Sequence, residues 1–256
     1  MNQYTKAVFS SNYVEVTQQS QQPIIGRSSS GGRKSFSTQS TENYEANLKT
    51  SIRRAKKKIR RLLECNFTDS YTFLTLTFKS TGEIDITDIK SCAKKFSAFK
   101  KRLSYYLDKH NLPKFQYIGV TEFQDESRQG AIHYHLVCNL LDIPTETIQE
   151  LWIYGFIYKS PATPDPTNNE KMAYYLNKGI HDHRLNGNKR YFHSQGLKQP
   201  IPLDIKDSAE FHKVLDKCEP WLTQNEAYHS PYTGETRYDT YYVKNVKELI
   251  EYAQEQ

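Results

Sequence analysis

The stretch GAIHYHLV, Gly130–Val137, holds His133 and His135 two residues apart in an apolar run with strand character. Side chains alternate faces along a strand, so positions i and i+2 point the same way, with Cα atoms about 6.5–7 Å apart. Both imidazoles then share one face, and Ile132, Tyr134 and Leu136 take the other. Neutral imidazole is a common ligand for first-row divalent metals. Two histidines on a solvated strand face would read the same in isolation, so the flanking sequence has to decide.

Working outward, KFQYIGVTEFQ (114–124) alternates as another strand. DESRQG (125–130) is a turn that joins it to AIHYHLVCNL (131–140) as a hairpin. YTFLTLTFKS (71–80) is an earlier strand, with Tyr71, Phe73, Thr75 and Thr77 on one face as sheet support. From Asp85 to His110, the residues Ile89, Cys92, Ala93, Phe96, Phe99, Leu103 and Leu107 recur at helical spacing. Lys94, Lys95, Lys100, Lys101 and Arg102 form the polar side of that helix. PTETIQELW (144–152) predicts a short helix with Thr145 as its N-cap. GFIYKS (155–160) is a fourth strand, and a Pro-rich loop follows it. EKMAYYLNKGI (170–180) is a helix ended by Gly179. The order β-α-β-β-α-β-α predicts an α+β fold of ferredoxin-like arrangement, a central antiparallel sheet flanked by helices.

Three domains are expected. Residues 1–45 are rich in Ser, Gln, Thr and Asn, and their scattered apolar residues do not offset the entropy of ordering. They read as a mostly disordered arm. Residues 46–200 form the folded domain and begin with a basic helix, NLKTSIRRAKKKIRRLLECNF. Its apolar stripe is Leu48, Ile52, Ala55, Ile59, Leu62 and Leu63; its other faces carry Arg53, Arg54, Lys56, Lys57, Lys58, Arg60 and Arg61. Seven like charges repel one another, and phosphate contact is a use for them. Residues 201–256 form an acidic extension that ends in a helix, packed on or following the domain.

Charge follows the same division. Asn47–His110 has sixteen Lys/Arg against six Asp/Glu, whereas Asp204–Gln256 has six against eleven. The front half therefore suits a polyanionic partner, with nucleic acid foremost. Cys65, Cys92, Cys138 and Cys218 are far apart and suggest neither a zinc cluster nor a disulfide framework. With no secretory pattern at the start and no membrane-length apolar run, the chain reads as a reduced, cytoplasmic protein without a membrane partner.

FLTLTF on the first of these strands, HYH on a central one and YYLNK on a later helix occur in that order. Together they resemble the three motifs of the HUH endonucleases, specifically the rolling-circle replication initiators of bacterial plasmids and phages. KRYFHSQGLKQP (189–200) is similar to a stretch that follows the tyrosine motif in one group of these initiators. The resemblance covers roughly residues 50–200. It implies an HUH nuclease fold, a single catalytic tyrosine, and site-specific nicking and joining of single-stranded DNA through a 5′-phosphotyrosine. The implied host is a bacterial cell, with the gene on a plasmid or phage.

The chemistry makes sense of the residues. Cutting one strand while keeping its energy needs a covalent nucleophile, and a tyrosine phenolate provides one. A divalent ion, Mn²⁺ or Mg²⁺, polarises the scissile phosphate and aligns it for in-line attack. His133 and His135 supply two ligands, and Glu122 on the neighbouring strand matches a third ligand position in related initiators. Asp125 and Glu126 in the turn are weaker candidates. Both Tyr174 and Tyr175 stand at helical spacing from Lys178, and the family pattern Tyr-x-x-Lys selects Tyr175 as nucleophile with Lys178 as its cationic partner. Lys189, Arg190 and Tyr191 mix charge with an aromatic ring, as suits single-stranded DNA. His181 and His183 are either a second metal site or phosphate and solvent contacts.

No G-x-x-x-x-G-K-[ST] occurs, so a replication role requires a host helicase acting in trans on the origin. The expected DNA partner is single-stranded and origin-hairpin DNA, with a homo-oligomer on DNA as a further possibility. Competing readings are a one-tyrosine HUH transposase or mobilisation relaxase, a non-catalytic DNA-binding module on the same fold, and a generic metallohydrolase that needs no Tyr175.

Overall fold

The computed structural model describes residues 4–22, 41–82, 84–163, 176, 179–230 and 233–255. The chain divides into two compact units, Asn47–Leu197 and a second built from both ends, Met1–Ala46 with Lys198–Gln256. The class is α+β, as the sequence predicts, but with two five-stranded antiparallel sheets instead of one.

In the central unit, β3 (Tyr71–Thr77), β4 (Tyr117–Gln124), β5 (Ala131–Cys138), β6 (Ile157–Ala162) and β7 (Phe192–His193) line up in the order β6-β3-β5-β4-β7. Strict alternation sorts the sheet's two faces. Leu74 and Leu76 of β3, with Ile132, Tyr134, Leu136 and Cys138 of β5, face α2 (Ile89–Lys109) and α4 (Thr145–Leu151). There they meet Cys92, Phe96, Phe99, Leu103, Ile148 and Trp152. The opposite face receives α1 (Thr41–Asn66), whose Ala55, Ile59, Leu62 and Leu63 pack with Ile118, Val120 and Val137. Leu176 and Ile180 join that second cluster.

Local physics sets the element ends. Asp88 caps α2 by accepting from the Ser91 N–H at 2.7 Å, so the helix starts later than Asp85. Ala93, expected in its stripe, is exposed. The residue at the N-terminal cap of α4 is Pro144, with no side-chain cap bond, and Thr145 is the first helical residue. Pro161 lies within β6, which is permitted because β6 is the sheet's edge strand. The turn after β4 is a single helical turn, α3 (Asp125–Arg128), closed by left-handed Gln129 and Gly130.

The second unit corrects the expected arm. Tyr4–Ser10 (β1) and Tyr13–Gln19 (β2) are a hairpin turned at Ser11-Asn12, with Ser11 at φ 52°. They sit in a sheet of order β8-β1-β2-β10-β9 with Ile201–Ile205 (β8), Trp221–Ser230 (β9) and Gly234–Tyr242 (β10). Ala7, Phe9, Val14 and Val16 alternate onto one face. Phe211, Val214 and Leu215 of α5 (Ser208–Lys217) and Leu249 and Ala253 of α6 (Lys247–Glu255) cover that face. Four well-spaced apolar residues, backed by two helices about 200 positions away, supply the burial that the Ser/Gln-rich surroundings hide. Residues 23–40 of the expected arm lie outside the described residues.

Candidate functional site

The site forms on the sheet face that α1 covers only in part. Register sets it: His133 of β5 stands opposite Glu122 of β4, and His135 stands opposite Thr75 of β3. Cross-strand neighbours have Cβ atoms about 4.5–5.5 Å apart, within reach of one ion. One ligand atom from each of Glu122, His133 and His135 lies within 4.8 Å of the others. Among the described residues this is the one such group of His, Cys, Asp and Glu.

Each side chain is held differently. His135 Nε2 lies 2.6 Å from Glu122 Oε2, and its Nδ1 lies 2.9 Å from Thr75 Oγ1. Thr75 thereby fixes the imidazole's orientation, the role an outer-shell partner plays at a metal centre. Phe73 stacks on the same ring at 5.8 Å and 14°. His133 is buried, and its Nε2 has no hydrogen-bond partner. Burial first, then the neighbouring His135 and Arg128, push its pKa down to about 4, so the ring is neutral at neutral pH. A buried nitrogen without a partner costs about 1–3 kcal/mol of desolvation. A neutral, unpaired imidazole beside a carboxylate and a second imidazole is a donor set suited to a divalent cation.

Around this group runs a network that sequence reading missed. Arg184 donates to both oxygens of Asp125 at 2.7 and 2.8 Å, and to Asp182 at 2.6 and 2.9 Å. Its guanidinium also lies over Phe123, 4.0 Å from the ring centroid. Those hydrogen bonds hold the Asp125 and Asp182 carboxyls below their usual range. The turn after β4 is therefore tied to the segment that follows Ile180. Asp125 is committed to this clamp, and His183 is exposed beside Asp182; neither joins the Glu122 cluster. His181 likewise falls outside it.

Gly179 brings a further element to the site. A Cβ built there would lie 2.2 Å from the Thr121 carbonyl oxygen and 3.4 Å from the Glu122 nitrogen. Only glycine allows backbone to meet backbone at that distance. Gly179→Ala gains helix propensity on an exposed helix, yet here it is expected to destabilise by about 1–3 kcal/mol, the usual cost of overpacking. A urea denaturation midpoint that rises on substitution would contradict this contact. Tyr175 and Lys178 themselves lie outside the described residues.

The predicted DNA contacts separate into groups. Arg53 and Arg54 are exposed, and Lys57, Lys58, Arg60 and Arg61 are half-buried along α1. Burial, then Arg61, lowers the Lys58 pKa. Lys189 is exposed, and Tyr191 is half-buried against the α1 cluster and stacked on His193. Arg190 is different: it is buried, and its guanidinium donates to the Ile180 carbonyl at 2.6 Å and to Asn186 Oδ1 at 2.8 Å. Its place is inside the fold, closing the turn that ends the Gly179 segment, not on phosphate. The basic-aromatic composition of its neighbourhood gave no signal for this.

Residues 71–180 match the family model of the replication-associated protein ORF2. That segment holds Glu122, His133, His135 and Gly179, and it fits the rolling-circle initiators that the three motifs resemble. Comparison with curated proteins and with solved structures gave no match. Among the described residues no helix is long and apolar enough to cross a membrane, and all four cysteines are buried and free.

Proposed function

We propose that the chain is a rolling-circle replication initiator of the HUH type, a nuclease and strand transferase acting on single-stranded and origin-hairpin DNA in a bacterial cytoplasm. The observation that carries this is the Glu122, His133 and His135 cluster, with its unpaired buried nitrogen, inside the segment that matches a replication-associated family. Glu122, His133 and His135 would hold Mn²⁺ or Mg²⁺. Bound there, the ion would supply positive charge to the scissile phosphate. The Tyr175 phenolate attacks phosphorus, the P–O3′ bond breaks, and the departing 3′ oxygen takes up a proton. A 5′-phosphotyrosine remains. The Lys178 ammonium favours the phenolate and offsets charge on the crowded phosphate. No ATPase motif is present in the sequence, so duplex unwinding falls to a host helicase. Nicking of single-stranded origin oligonucleotides with and without Mn²⁺ tests the proposal, and metal-independent or absent cleavage defeats it.

Binding is expected to weaken steeply with salt. The central unit carries 24 Lys and Arg against 15 Asp and Glu, a net +9. Changing Arg53, Arg54, Lys57, Arg60 and Arg61 to Gln should lower the log–log salt slope by roughly 0.7–0.9 for each phosphate no longer neutralised. Anisotropy titrations from low to physiological salt measure this. An unchanged slope means that α1 does not touch phosphate.

A further inference from the structure

The same sheet face carries another row of side chains. Tyr158 of β6 stands opposite Thr75, and Thr75 stands opposite His135. Phe156, two residues earlier, meets Thr77 through a backbone hydrogen bond of 2.9 Å, and Thr77 stands opposite His133. By alternation Phe156 and Tyr158 share the face of the histidines, two strand spacings away, or about 10 Å. Both rings are 68% exposed. The threonines between them and the histidines are buried and short, so nothing on β3 at those positions rises above the rings.

Single exposed aromatics on a surface are ordinary. Two on one face, in register with a candidate metal centre and on a unit of net charge +9, are a different arrangement. Positive charge with exposed rings is what holds single-stranded nucleic acid: phosphates meet the charge and unpaired bases stack on the rings. Duplex bases are already stacked on one another and offer no face to a ring. We propose that Phe156 and Tyr158 form a stacking platform for unpaired bases of single-stranded DNA that flank the phosphate at the Glu122, His133 and His135 site. The reading of that site as a nuclease centre underlies where the strand lies; the stacking itself is measured without cleavage.

The test uses the full chain in EDTA, with fluorescein-labelled (dT)20 and an abasic 20-mer of the same charge as probes. Phe156→Ala and Tyr158→Ala are each expected to weaken (dT)20 binding about 5- to 100-fold, the range for losing one base–aromatic stack. Binding of the abasic strand should not change, and Tyr158→Trp should restore (dT)20 affinity. Equal losses on both probes, or no loss on (dT)20, overturn the platform. The nicking assay is scored separately. A wild-type protein that needs both rings for (dT)20 yet never nicks leaves the platform standing and removes the nuclease reading. Nicking with ring-independent (dT)20 binding does the reverse.

Discussion

His133→Ala and His135→Ala proteins are expected to lose Mn²⁺-dependent nicking by about 10³-fold, the loss of roughly 4 kcal/mol of transition-state stabilisation. The two substitutions remove different things. His133 contributes a buried nitrogen with no partner, so its removal forfeits no protein hydrogen bond at Nε2. His135→Ala takes away the bonds to both Glu122 and Thr75. Activity alone cannot separate ligation from folding, so thermal melting with and without Mn²⁺ accompanies it. An ion that binds only the folded state stabilises it by about 2.7 kcal/mol at a hundred times its Kd. Wild type should show that upward shift, and both variants should lack it while keeping the wild-type melting temperature in EDTA to within a few degrees. Undiminished Mn²⁺-dependent cleavage by either variant removes the metal assignment.

The alternation of GAIHYHLV was enough to place His133 and His135 on one face, because period two is a property of any strand. The hairpin partner was also legible: one short turn leaves few registers, and Glu122 falls opposite His133. The contribution of β3 was not. Thr75 meets His135 across 60 positions of chain, and no local pattern specifies that register. Arg184 escaped notice for the same reason, since its partner Asp125 is 59 residues away. Arg190 was misread because a basic residue in a basic-aromatic stretch gives no hint of burial. Its carbonyl partners exist only once the segment at Ile180 has turned. Phe156 and Tyr158 did leave a trace, the same i, i+2 spacing as the histidines, but their significance depends on β6 pairing with β3.

The hairpin at residues 4–19 shows a different failure. Averaged over a Ser/Gln-rich window, Ala7, Phe9, Val14 and Val16 look too sparse to fold. Alternation concentrates all four on one face, and helices from the far end of the chain bury them. Composition measures the supply of apolar surface but not where the other half of a core comes from. The family match ends at residue 180, so this second unit owes none of its reading to it.

Tyr175→Phe is expected to eliminate all covalent protein–DNA adduct, whereas Tyr174→Phe retains it. The assignment comes from spacing around residues the structure does describe. Gly179 meets Thr121 and Glu122 backbone at a distance no Cβ permits, and Leu176 and Ile180 are buried in the α1 cluster. Sequence puts Tyr175 four residues before Gly179, the same face of a helix, and so toward the strand that bears Glu122. Tyr174 is about 100° away from that direction. Phenylalanine keeps the ring and removes only the nucleophilic oxygen, so Tyr175→Phe should bind single-stranded DNA as wild type does while forming no adduct. A full cycle must also cut a second time. The positions one turn from Tyr175 hold Lys171, Met172, Lys178 and Gly179, none of them a tyrosine. The second cut then needs either the Tyr175 of another copy or a water activated by a carboxylate. Peptide mapping of the trapped adduct decides the nucleophile. A 5′-phosphate on Tyr174, or adduct that persists in Tyr175→Phe, overturns both the assignment and the single-tyrosine scheme.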